Sequence, residues 1–335
     1  MIKEASFYKK LDDLKVQCHL CNHNCKILEG STGICGVRQN KEGKLYSLIY
    51  GLCSSIASDP IEKKPLYHFY PGSSVFSIGT VGCNFSCLHC QNYTISTARP
   101  DFRYMQKIKP DEVVSLAKEQ GCMGVAFTYN EPSIWYEFTL DSAKLAKKQG
   151  LYTVYVTNGY ISEGPLRQIS SVLDALNIDI KAFTESFYKK VCKAKLQPVL
   201  DTCILTKELG IHFELTYLVI PGYNDSEKEV EAFCRWVVEK LGYNIPVHFS
   251  RFHPDYNMLN IPPTPMDTMI KIFNIAKKIG LFFVYLGNVP NGDYENTICP
   301  KCGNICVKRF GFSTKISGLD KGKCSNCGED LFIIF

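Results

Sequence analysis

No stretch of this 335-residue chain approaches the 18 or more consecutive apolar residues that a membrane-spanning helix needs, and the run from Leu281 to Val289 is of the length a buried strand gives. The opening segment, MIKEASFYKKLDD, has no apolar stretch of the kind a secretory signal carries, so a cytoplasmic location is expected. A one-sided charge is also missing. Lys and Arg number 38 against 33 Asp and Glu, a net charge of +5 spread over the whole length. That balance is no electrostatic footprint of a nucleic-acid partner, although it does not exclude one. Internal repeats and low-complexity segments are absent. With 45% apolar and 21% charged residues the chain can bury a core, which argues against wholesale disorder.

Cysteine is what the chain has in excess, 17 residues in all. In a reducing compartment such residues are read first as metal ligands or redox centres rather than as a disulfide framework. They fall into three groups: Cys18, Cys21, Cys25 and Cys35; Cys83, Cys87 and Cys90; and Cys299, Cys302, Cys324 and Cys327. Cys53, Cys122, Cys192, Cys203, Cys234 and Cys306 are scattered and suit buried small hydrophobes.

The first 70 residues lack helical periodicity and read as loops and short strands, a Cys-rich block such as one metal site could hold together. From about Val75 short apolar segments alternate with amphipathic ones. Strands are expected at 75–80, 123–129, 152–159, 176–182, 212–222, 246–252 and 281–289, and helices at 111–121, 133–150, 197–210, 226–242 and 265–280. Pro110 and Ser226 stand at helix starts, and Gly121, Gly150, Gly210, Gly242 and Gly280 at helix ends. Such alternation implies an α/β fold with a parallel sheet covered by helices. Six or seven units suit a full or partial (β/α) barrel over residues 71–292, with an open doubly wound sheet as the alternative. A short cysteine-bearing module follows over 293–335. In either architecture the working residues belong at the C-terminal ends of the strands.

CNFSCLHC (83–90) follows the first of these strands directly, with C-x3-C-x2-C spacing. Three thiolates close no tetrahedral structural site and leave a position open. A [4Fe–4S] cluster held by three cysteines has one iron free for a ligand; the plainer alternative is zinc completed by His89 or a distant residue. Four further segments end the succeeding strands: TYNEP (128–132), VTNG (156–159), NIDIK (177–181) and VIPGYND (219–225). On the residues alone, Glu131 is a candidate either for ligand contact or for capping the helix that follows, and Asn158 either for a ligand or for a turn before Gly159. Asp179 and Lys181 share one face of a strand end, as pocket residues or as a plain salt bridge.

Taken together, these motifs resemble the radical S-adenosylmethionine (radical SAM) enzymes over roughly residues 75–290, and within them the pyruvate formate-lyase activase-like branch. The resemblance implies a [4Fe–4S] cluster on Cys83, Cys87 and Cys90 whose open iron chelates S-adenosylmethionine. It implies a grip on the methionyl amino group by Asn130 and Glu131, contacts to ribose and carboxylate from Thr157 and Asn158, and places for Asp179 and Lys181 near the carboxylate. Reductive cleavage of the cofactor would yield a 5′-deoxyadenosyl radical that abstracts hydrogen, the electron coming from a separate donor. Two positions depart from the pattern. His89 stands where an aromatic or apolar residue usually packs near adenine. Val156 stands where the activase branch has Asp, so a monovalent-cation site there would keep Thr157 and Asp179 but lose a carboxylate.

The N-terminal group, CHLCNHNCKILEGSTGICGVR (18–38), has C-x2-C-x3-C-x9-C spacing. Four thiolates saturate a site, so it is read first as structural zinc, with a second [4Fe–4S] cluster as the alternative and His19 and His23 within reach. CPKCG (299–303) and CSNCG (324–328) pair as a zinc ribbon or a rubredoxin-like knuckle, with structural zinc expected ahead of iron. The tail's Lys301, Lys308, Arg309, Lys315, Lys321 and Lys323 would suit RNA or simply form a solvated face. The N-terminal block, DPIEKKPLYHFYPGS (59–73) and the tail together resemble the radical SAM enzymes of the AmmeMemoRadiSam system, which implies Memo-like and AMME-type proteins as partners. His253, just beyond the strand 246–252, is a candidate acid or base.

The function expected is an oxygen-sensitive radical SAM enzyme, activase-like, with a protein substrate. Radical modification of a small molecule or RNA is the second reading. A non-catalytic iron–sulfur carrier or interaction module is the third, and it would gain if Asn130 and Glu131 proved to be buried and turned away from Cys83, Cys87 and Cys90.

Overall fold

The computed structural model describes residues 2–101, 103, 105–290 and 292–335. An eight-stranded sheet runs through the centre of the molecule. Its strands are β1 (Ser55–Pro60), β2 (Ser74–Gly79), β3 (Gly124–Phe127), β4 (Tyr152–Thr157), β5 (Ala175–Asp179), β6 (His212–Val219), β7 (Val247–Arg251) and β8 (Val284–Gly287). From β2 to β8 every neighbouring pair is parallel and the spatial order is the chain order. A doubly wound sheet reverses its strand order at a switch point; this one never does, so the winding is that of a barrel. No pairing joins β8 back to β1 among the described residues, and the barrel is therefore partial. β1, an antiparallel edge strand, was not anticipated, because SIASDP carries too few apolar residues to read as a strand.

Helices α1 (Pro110–Glu119), α2 (Tyr136–Lys148), α3 (Glu163–Ile169), α4 (Gln197–Glu208), α5 (Glu227–Trp236) and α6 (Met266–Ile279) fill the connections. The Ser226 side chain caps α5 by accepting from the Glu229 N–H, and Gly280 ends α6 with a φ of +111° that L side chains rarely adopt. The helix expected over 226–242 keeps α form only to Trp236 and finishes in a π turn. Strand alternation then sorts the side chains. Phe76, Ile78, Val125, Phe127, Leu176, Ile178, Leu215 and Tyr217 pack outward with the helices. Val75, Ala126, Val154 and Ala175 face inward and are plugged from below by Leu66 and Phe69, which come from the segment between β1 and β2. That plug leaves the C-terminal ends of the strands as the open mouth.

The N-terminal block consists of short antiparallel strands docked on the core through Arg38, whose buried guanidinium makes a two-pronged contact with Glu137 of α2 at 2.9 and 2.9 Å. The C-terminal module, an antiparallel sheet of Thr297–Ile298, Ile305–Phe310 and Ser313–Ile316, packs Cys299, Cys306, Cys324 and Leu331 against Tyr67, Phe283 and Tyr285 of the barrel. Arg309 is a correction to the expected solvated face. It is only 2% exposed and donates to the Tyr67 carbonyl, the Glu295 carbonyl and the Thr297 hydroxyl. No helix among the described residues is long and apolar enough to cross a membrane.

Candidate active site

A cavity of about 900 Å³ occupies the mouth, and residues from the ends of β3 through β8 line it together with the loop that follows β2. Its size suits a cofactor plus part of a substrate. Cys83, Cys87 and Cys90 lie on that loop and all three line the cavity. Two glycines let the loop approach. A Cβ on Gly79 would lie 2.6 Å from the Thr128 carbonyl oxygen, and one on Gly82, whose φ is +87°, would lie 2.8 Å from the Cys35 carbonyl oxygen.

Asn130 pins the same loop. Its Oδ1 accepts from the Thr80 N–H at 3.0 Å and its Nδ2 donates to the Gly82 carbonyl at 2.8 Å. Glu131 is also buried, and one carboxylate oxygen accepts from the Ser133 N–H (3.0 Å) and the Thr157 hydroxyl (2.8 Å), the other from the Asn158 N–H (2.8 Å). Burial raises its pKa, with those donors opposing. Glu131 thus does cap the short helix Pro132–Trp135 while it lines the cavity. Asn158 makes the turn, its Oδ1 accepting from the Tyr160 N–H at 3.0 Å, while its Nδ2 donates to Asn84 Oδ1 at 2.7 Å beside Cys83. Asn130 and Glu131 are both buried, but Asn130 bonds the cysteine loop and Glu131 lines the same cavity as the three cysteines, so neither is turned away, and an electron carrier has no need of that arrangement.

Asp179 and Lys181 both line the cavity and pair at 2.6 Å. Burial opposes the Lys181 charge, but Asp179 and the nearby thiols outweigh it and hold the ammonium protonated. The cysteine thiols themselves are pushed up, Cys83 and Cys90 chiefly by burial and Cys87 chiefly by its hydrogen bond with Cys192. His89 is buried on the cavity wall with both ring nitrogens unpartnered, and burial lowers it to about 3, so the ring is neutral. Orphaned polar atoms at this depth are costly unless something fills them. Three inward thiols, a neutral unpartnered imidazole and an ion pair of both signs fit a thiolate-bound cluster with a zwitterionic ligand.

His253 is exposed, with Nε2 2.9 Å from the Gln91 amide, and it is not among the lining residues. His248, on β7 itself, lines the cavity instead and sits 2.6 Å from Glu214. Burial alone would raise the Glu214 carboxyl, yet contacts with His212 and His248 hold it well below the usual range. Sequence reasoning also missed Lys64, buried on the cavity wall and bonded to Asp59 at 2.7 Å; burial pulls it down to about 8. Strand parity would have singled out His248, since positions 248 and 250 share the inward face. Nothing local marks Lys64.

The remaining cysteines separate by spacing. The sulfurs of Cys299, Cys302, Cys324 and Cys327 lie within 4.8 Å of one another, with 3.6 Å for both Cys299–Cys327 and Cys302–Cys324. Metal–sulfur bonds of about 2.3 Å in a tetrahedron demand about 3.8 Å.

The profile of the radical SAM superfamily matches residues 77–234. An uncharacterized protein of Methanocaldococcus jannaschii, MJ0808, is 48% identical over 99% of this chain and 100% of its own length. A pyruvate formate-lyase-activating enzyme of Clostridium pasteurianum is 23% identical over 59% of this chain and 88% of its own. Among solved structures, a radical SAM methyltransferase from Sphaerobacter thermophilus shares the fold with a TM-score of 0.50 at 15% identity, covering 65% of this chain and 67% of that one.

Proposed function

Because the chain belongs to the radical SAM superfamily, we propose that it is an activase-like enzyme that abstracts hydrogen from a protein substrate held at the barrel mouth. The observation that carries this reading is the loop of Cys83, Cys87 and Cys90 on the wall of one cavity to which β3 through β8 all contribute their C-terminal ends. When bound, a [4Fe–4S] cluster with S-adenosylmethionine supplies reductive carbon–sulfur cleavage and a 5′-deoxyadenosyl radical, given an electron donor. The protein's part is to hold, orient and exclude water. Cys83, Cys87 and Cys90 take the cluster. Asn130 fixes their loop, and Thr157 and Asn158 fix Glu131. Lys181, held by Asp179, offers an ammonium to the cofactor's carboxylate, and Glu131 offers a carboxylate to its amino group.

Two features favour a protein substrate. The relative from Clostridium pasteurianum is named for activating an enzyme. Phe310 and Phe312, 80% and 59% exposed, also stand at the rim of the cavity as aromatic ground for a peptide. Memo-like and AMME-type proteins are the partners to try first. In the C-terminal module Cys299, Cys302, Cys324 and Cys327 take one zinc.

The test is 5′-deoxyadenosine formed by anaerobically reconstituted protein with S-adenosylmethionine and a chemical reductant. A Cys83/Cys87/Cys90→Ala variant should form none. Adding the macromolecular fraction of a cell extract should stimulate formation, and protease treatment of that fraction should abolish the stimulation. Abolition by ribonuclease would place the substrate among RNAs, and stimulation by the ultrafiltrate alone would place it among small molecules.

A further inference from the structure

We infer that Cys18, Cys21, Cys25 and Cys35 hold a second [4Fe–4S] cluster rather than zinc, back to back with the first. The inference deepens the reading above and rests on it for the identity of the neighbouring cluster.

The C-terminal module provides the internal standard. Its four sulfurs have the close spacing that a lone tetrahedral ion imposes. Among the described residues it is the one set of three or more such ligands whose donor atoms all lie within 4.8 Å of one another, so no three of the N-terminal sulfurs do. The N-terminal four are nonetheless gathered. All four line a single small cavity of about 20 Å³ that opens between them. A lone zinc ion about 2.3 Å from each sulfur leaves no such room. Thiolates set apart around a space are what a cluster needs, since each binds a different iron. The Cys83, Cys87 and Cys90 sulfurs are spread beyond the same limit. By spacing, the N-terminal set therefore belongs with the radical SAM loop and not with the zinc-like tail.

The wall adds an independent observation. Arg38 and Asn84 line this cavity and are 2% and 1% exposed, and Arg38 Nε and Asn84 Nδ2 are buried without a hydrogen-bond partner. Arg38 Nη1 donates to Glu137, and Nη2 donates to Glu137 and the Ser6 carbonyl. Two orphaned N–H donors on the wall of a cysteine-lined cavity call for acceptors inside it. Cluster sulfurs accept such bonds, which also help to set a cluster's potential.

The two sites share structure. Asn84 follows Cys83 in the chain and also walls the N-terminal cavity, and its carbonyl lies 2.7 Å from His23 Nε2. Gly82 passes so close to Cys35 that no Cβ fits between them. The N-terminal block is then a second redox-active centre abutting the first, not only a structural staple.

Iron, sulfide and zinc per chain decide the matter on the full, anaerobically reconstituted protein, on a Cys83/Cys87/Cys90→Ala variant and on a Cys21→Ser/Cys25→Ser variant. The expectation is about eight irons and one zinc in the wild type and about four irons in each variant. Electron paramagnetic resonance of the reduced wild type should show signals broadened by coupling between neighbouring clusters, and each variant a simple spectrum. Two zincs with about four irons, all lost in the triple variant, would overturn the inference and leave the radical SAM reading standing. Iron that the triple variant keeps in full would sink that reading instead. Should the Cys21/Cys25 variant fail to fold, the zinc-to-iron ratio of the wild type decides alone.

Discussion

Asn130 offers the sharpest separation between a residue that touches the cofactor and one that shapes its site. The family resemblance casts it as a ligand to S-adenosylmethionine, whereas the structure shows both ends of its amide spent on the cysteine loop. Asn130→Ala would leave the Thr80 N–H and the Gly82 carbonyl without partners, and both residues are buried. An orphaned buried backbone group costs about 1–3 kcal/mol, so two give about 2–6 kcal/mol, with the lower half expected because water can enter from the cavity. Asn130→Asp keeps the acceptor for Thr80 but sets an oxygen against the Gly82 carbonyl, and should rescue little. The assay is chemical denaturation without S-adenosylmethionine, alongside iron content after reconstitution. The clamp predicts a loss of about 2–4 kcal/mol and several-fold less retained iron in both variants. A variant with wild-type midpoint and iron, defective only in binding S-adenosylmethionine, would refute the clamp and restore the ligand role.

Three further outcomes follow from the same contacts. Glu137→Leu strands the buried Arg38 charge and should cost about 3–5 kcal/mol in a denaturant titration, most of it recovered by Arg38→Met/Glu137→Leu; a double variant no better than the single would refute that pairing. Lys64 is pulled down to about 8 from an ordinary 10.5, so between those values the unfolded chain holds a proton the folded one has shed, and this group's contribution to stability rises with pH. The stability difference between wild type and Lys64→Met should therefore grow from about pH 8 to about pH 10.5, and a flat difference would count against the shift. Cys302→Ala should release one zinc per chain by elemental analysis and open the segment after Thr297 to limited proteolysis, because the zinc proposed there would join Cys299 and Cys324, which pack against Tyr67 and Tyr285.

The parallel strands were legible because Gly, Pro and Ser punctuate them and their apolar runs are short, and the inward pairing of Asp179 with Lys181 followed from alternation along NIDIK. The same rule was available for β7 and points to His248. His253 drew attention only because it stands at the end of the segment, two residues past the last hydrogen-bonded position, where parity no longer governs its direction. What stayed hidden is long-range. Arg38 meets Glu137 from 99 positions away and Asn130 reaches Thr80 from 50, and neither partner is written in local pattern. Metal identity is hidden for a related reason. Cysteine spacing along the chain fixes which thiols can meet, but an ion and a cluster differ in how far apart the thiols are when they do. Two of the three groups here are held apart and one is drawn together, a distinction that belongs to the folded walls around each site rather than to the intervals between cysteines.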